Sequence, residues 1–121
     1  MPERKLLCVS FDKTVSDSRC AMLRQGGYAV TAITSTEEAL QLLGREKFDL
    51  VVIGHRFPKP NKQELAAQAR EQRKIPVLLV CGAAADTEIP ADARVYALEG
   101  AEGLLAAVKR LLPVSVSAPA A

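Results

Sequence analysis

The chain has 121 residues, 49% of them apolar and 25% charged, enough to bury one hydrophobic core without disulfide or metal staples and too apolar for intrinsic disorder. Its 16 basic and 14 acidic residues leave a net charge of +2, which gives no electrostatic footprint for nucleic acid. No stretch approaches the roughly 18 apolar residues of a membrane span, and Cys8, Cys20 and Cys81 are an odd set with no C-x-x-C spacing, so reduced thiols in a cytoplasmic protein are expected.

Leu6 to Val9 is the first short apolar run and predicts a strand. The helix that follows carries Met22 and Leu23 and ends at Gly26-Gly27, where glycine can take a positive φ. Ala29 to Ile33, "AVTAI", is a second strand with polar character mixed in. Ser35-Thr36-Glu37-Glu38 then reads as a capping box, with Ser35 satisfying backbone N–H groups at the start of a helix that runs into Ala39, Leu40, Leu42 and Leu43. Leu50 to Ile53 is a third strand, and it stops at Gly54 in a polar turn closed by Pro58. Asn61-Lys62-Gln63-Glu64 repeats the capping spacing and predicts a third helix with a thin apolar face of Leu65, Ala66 and Ala69. Val77 to Cys81 and Val95 to Leu98 are the last two strands. The final helix repeats Leu104, Val108, Leu111 and Leu112, places Lys109 and Arg110 in a cationic last turn, and meets Pro113. Residues 113–121 carry no charge and little to bury; they are expected to be a disordered tail beyond a single domain spanning 1–112.

This alternation of strand and helix predicts an α/β fold, a doubly wound five-stranded parallel sheet with helices on both faces. Strands one, three and four are uninterrupted apolar runs, as central strands covered on both faces should be. The mixed strands two and five are expected at the edges, which gives the order 2-1-3-4-5, with the functional crevice at the carboxyl ends of the strands.

In this order and spacing, "LLCVSFD", "GGYAVTAITSTEEALQLL", "FDLVVIGHRFP", Glu64-Leu65, "IPVLLVCG" and "VYALEGAEGLLAAVKRLL" resemble the receiver domain of two-component response regulators, from Lys5 to Leu112. The resemblance implies a flavodoxin-like receiver fold and a place in phosphorelay signalling. Receiver domains hold an acidic pair after strand one that binds Mg²⁺, a phosphoacceptor aspartate after strand three, and a Ser or Thr and a lysine after strands four and five that hold the phosphoryl oxygens. Carried over residue by residue, the acidic pair falls on Ser10 and Phe11, the acceptor on Gly54, the Ser/Thr on Cys81 and the lysine on Glu99. A slip of one residue would bring in Asp12 as a single carboxylate. Glu99 at about 4 Å from a phosphoryl oxygen would repel it by ~4 kcal/mol at an effective dielectric near 20. Tyr96 stands where receivers often have the aromatic residue whose rotation couples to the Ser/Thr. From Cys81 to Glu99 the chain advances only 18 positions, and Pro90 lies between them; a shortened fourth helix is expected.

The expected function is signal transduction by a stand-alone degenerate receiver that acts through phosphorylation-independent contact with a partner protein. No enzyme activity, cofactor, bound metal, nucleic acid or membrane is expected. Two alternatives stay open. His55 and Cys81, at neighbouring strand ends, would form a thiolate-imidazole pair for a small thiol-dependent enzyme or redox sensor, or a metal site together with Glu99. The vacated crevice would otherwise hold a small ligand. The plainer reading makes Cys81 a small packed residue, and Arg56 and Lys59 a solvated loop in place of a basic rim for a partner.

Overall fold

The structure, a computed structural model, describes residues 4–10, 13–54, 59–73, 75–81, 91–96 and 100–112. In chain order the elements are β1 (Lys5–Val9), α1 (Lys13–Gln25), β2 (Ala29–Ile33), α2 (Thr36–Arg45), β3 (Leu50–Ile53), α3 (Lys59–Arg73), β4 (Val77–Cys81), β5 (Ala93–Tyr96) and α4 (Gly100–Leu111). The strands form one parallel sheet in the order β2-β1-β3-β4-β5, as the apolar runs predicted, with the two mixed strands at the edges.

Alternation along each central strand divides the core in two. Leu7, Val9, Val51, Ile53, Val77 and Leu79 pack on the face covered by α2 and α3. Leu6, Cys8, Leu50, Val52, Leu78 and Val80 pack on the face covered by α1 and α4. All four residues of β3 are buried, and each large apolar side chain withdrawn from water in this way contributes about 1.5–3 kcal/mol. At the edge, β5 buries Val95 while Arg94 and Tyr96 face outward.

Helix boundaries follow local chemistry. Ser35 Oγ accepts from Glu38 N–H at 3.3 Å and caps α2 as expected. Gly27 takes φ 101° after α1, a conformation that costs an L side chain. Tyr28 is buried beside it, and its hydroxyl donates to the Leu112 carbonyl at 2.7 Å, fastening the end of α4 to the start of β2.

Two expectations need correction. Asn61 does not cap the third helix, because α3 already begins at Lys59; Pro60 has the fixed φ that suits a helix's first turn and loses no bond by lacking an N–H there. Asn61 Nδ2 instead donates to Thr36 Oγ1 at 3.0 Å, bridging α3 to the first residue of α2. The fifth strand begins at Ala93, two residues before the apolar run, because its pairing with β4 starts at Leu78 opposite Ala93. The expected shortened fourth helix and the tail 113–121 lie outside the described residues, and so does the end of the fifth apolar run.

Candidate functional site

The carboxyl edge of the sheet is set by register. Val9 lies opposite Ile33 on one side and Ile53 on the other, Ile53 lies opposite Leu79, and Cys81 lies opposite Tyr96. Ser10 and Gly54 are therefore the first residues past adjacent strands, and Cys81 closes the next one. Ser10 N–H donates to the Ile33 carbonyl at 3.0 Å, and Gly54 N–H donates to the Val9 carbonyl at 2.7 Å, so the ladder continues one residue beyond the strands. Both residues are buried.

At Gly54 the fit is close. A Cβ placed there would lie 3.1 Å from Ser10 Cβ, 3.1 Å from Ser10 Oγ and 3.1 Å from the Val9 carbonyl oxygen. Contacts this short are tighter than ordinary van der Waals packing, so a larger residue at position 54 requires Ser10 or the Val9 carbonyl to give by a few tenths of an ångström.

Behind this edge, on the α1 and α4 side, lies a cavity of about 10 Å³ whose walls include Cys8, Ser10, Arg19, Cys20, Gly54 and Leu104. Cys8 and Cys20 are buried, and neither is in a disulfide. The hydrogen bond that the protonated Cys8 thiol donates to Cys20, followed by burial, holds the Cys8 thiol well above the usual thiol range, while Arg24 and Arg19 pull weakly the other way. At neutral pH Cys8 is therefore protonated, a packed thiol and not a standing nucleophile.

Of the residues singled out from the sequence, the fold brings Ser10 and Gly54 together and aligns the Cys81 backbone with that of Tyr96, which is 49% exposed at the sheet edge. Phe11, Asp12, His55 and Glu99 lie outside the described residues, as do Arg56 and the Cys81 side chain. Among the described residues, no group of three or more His, Cys, Asp or Glu is placed to hold a metal ion, and no helix is long and apolar enough to cross a membrane. Sequence reasoning missed the Cys8 and Cys20 contact. The only signal for it was that Cys8 falls on the Leu6 side of the β1 alternation.

No protein-family model matches the chain. A curated relative, the transcriptional activator protein PfeR of Pseudomonas aeruginosa, is 28% identical over 88 residues, which is 73% of this chain but only 29% of that protein. Among solved structures, the BeF3-activated receiver domain of DrrB is 28% identical with a TM-score of 0.77, covering 92% of this chain and 98% of that one. A response regulator receiver protein from Sinorhizobium medicae shares the fold at a TM-score of 0.81 and 24% identity, covering 93% and 96% of the two chains. In its strand order the chain shares the fold of response-regulator receiver domains, and it is similar to them in sequence over most of its length.

Proposed function

We propose that this receiver is degenerate: it signals by direct contact with a partner protein and takes no phosphoryl group at the end of β3. The observation that carries this reading is the packing at Gly54, where the acceptor position has no nucleophile and a new Cβ would press on Ser10 and the Val9 carbonyl at 3.1 Å. Ser10 and Phe11 stand where the family's Mg²⁺ carboxylates belong, and Cys81 and Glu99 where its phosphate-holding Ser/Thr and lysine belong. Mg²⁺ is a hard cation that seeks carboxylate and water oxygens, and a serine beside a phenylalanine is a poor substitute.

In this reading the protein is not an enzyme and works in the cytoplasm, with residues 1–112 as its signalling module and 113–121 as a loose tail. Partner binding is constitutive. A phosphoryl group shifts a receiver's population only by its differential affinity for two arrangements, and here the groups that would sense it are replaced together. Kinship with a named transcriptional activator sets gene regulation as one context for that contact. A net charge of +2 favours a protein partner over nucleic acid.

Thermal unfolding with millimolar Mg²⁺ and a small-molecule phosphodonor tests this. The expected result is an unchanged Tm, and a saturable rise would contradict the reading. Rapid alkylation of Cys81 that disappears in a His55→Ala variant would favour a thiol enzyme or sensor instead, and saturable stabilisation by a small organic ligand would favour a binding module.

A further inference from the structure

Two cysteines, Cys8 and Cys20, are among the residues that line the small cavity under the carboxyl edge. Cys8 projects from β1 and Cys20 from α1 into the same half of the core, at 6% and 1% exposure. Their thiols share a hydrogen bond, and neither is in a disulfide. Hydrogen-bonded sulfurs stand well beyond the roughly 2.05 Å of an S–S bond, so direct closure would drag helix and strand together. A cation between them makes no such demand. With metal–sulfur bonds of about 2.3 Å, a linear bridge spans sulfurs up to about 4.6 Å apart.

Size and chemistry narrow the occupant. A cavity of about 10 Å³ has room for one water-sized sphere and excludes an organic ligand. Thiolates select soft cations, above all copper(I), whereas Mg²⁺ and Ca²⁺ require oxygen ligands. Zinc prefers four ligands, and among the described residues no third His, Cys, Asp or Glu joins the pair. Ser10 and Gly54 also line the cavity, and Arg19 on its wall brings a positive charge.

We propose that Cys8 and Cys20 form a two-coordinate site for a soft monovalent cation of the copper(I) class, seated between their sulfurs beneath Ser10 and Gly54. Binding exchanges protons for metal: one cation and two thiols give a bis-thiolate complex of net charge −1 and two released protons, with no change of oxidation state. Arg19 offsets the charge left in the core. The crevice that a receiver uses for a hard cation then leads, in this chain, to a site of opposite chemical preference.

The test is an anaerobic titration of copper(I) into the reduced full chain against a chromophoric copper(I) chelator. Wild type and Cys81→Ser are expected to retain one equivalent, and Cys8→Ala and Cys20→Ala to bind at least a hundredfold more weakly. Failure of wild type to retain copper, or binding by either alanine variant within threefold of wild type, would overturn the proposal. Because both alanine variants trim the core, a second measurement uses the unaltered protein: X-ray absorption of the copper-loaded chain should show two sulfur neighbours alone. A third ligand, or nitrogen or oxygen neighbours, would overturn it equally.

Discussion

The two edges of the sheet use their polar residues in opposite ways. At the amino edge, two aspartates repeat one device. Asp49 Oδ2 accepts from Lys5 N–H at 2.8 Å while Asp49 N–H donates to the Lys5 carbonyl at 2.7 Å. Asp92 Oδ2 accepts from Val77 N–H at 2.7 Å while Asp92 N–H donates to the Val77 carbonyl at 2.8 Å. Each carboxylate also faces an arginine, Arg4 at 3.9 Å and Arg70 at 3.6 Å. At the carboxyl edge, the described bonds between β2, β1 and β3 run through backbone alone, and the residues there, Ser10 and Gly54, are small and uncharged. The difference is one of chemistry at the two ends of the strands: carboxylates start strands at one edge, and a serine packed closely on a glycine stands at the other.

Breaking the amino edge should have the largest effect. Asp49→Ala and Asp92→Ala each remove an acceptor from a backbone N–H and should cost about 1–3 kcal/mol apiece. The two sites lie two strand spacings apart, roughly 10 Å, so the double variant should show close to the sum in urea unfolding. A loss below half that sum would mean the aspartate clamps do not secure the strand starts.

Next comes an acid installed at the other edge. Gly54→Asp should destabilise by about 1–3 kcal/mol through overpacking against Ser10 and the Val9 carbonyl, and should gain no Mg²⁺-dependent stabilisation. A neutral or stabilising result would show that β1 and β3 part easily and that the crevice is merely vacant.

Tyr28→Phe should cost about 0.5–1.5 kcal/mol by leaving the Leu112 carbonyl without its donor. Burial raises the Tyr28 pKa, with Arg4 opposing it. The unfolded chain therefore releases this proton first, near the ordinary phenol value of ~10, so the contribution is complete below that pH and is lost as pH climbs toward the raised folded value. The phenylalanine variant should show a flatter alkaline limb of stability against pH. Smallest is the coupling between edge residues: Gly54→Ala should be better tolerated with Ser10→Gly than alone, by ~0.5 kcal/mol or more in a double-mutant cycle.

Much of this comparison was legible in the sequence on one side only. The strands Ala29–Ile33, Leu50–Ile53 and Val77–Cys81 stand out as short apolar runs, and polarity marked β2 and β5 as edges because an edge strand need not be apolar throughout. That same tolerance hid the start of β5, where Ala93 and Arg94 look like loop. Asn61 misled because a capping spacing recurs by chance inside a helix, and its amide serves Thr36 across the layer. Asp49 and Asp92 gave no periodic signal, since the N–H groups they accept from come within reach only once the strands align. At the site, the sequence carried the identity of Gly54 and Ser10 but not their separation, which depends on how closely β1 and β3 approach. The contact of Cys8 with Cys20 depends likewise on the rotational phase of α1.

The measurement that bears most directly on the central claim is the intact mass of the protein after incubation with a small-molecule phosphodonor and Mg²⁺. We predict no phosphoryl adduct, for wild type and for Gly54→Asp alike, because in the proposed reading Ser10 and Phe11 replace the metal-binding acids and Glu99 the phosphate-holding lysine. A stoichiometric, base-labile phosphoryl adduct on wild type, mapped to residues 48–58 or to Asp12, would contradict the account and restore this chain to the switching receivers.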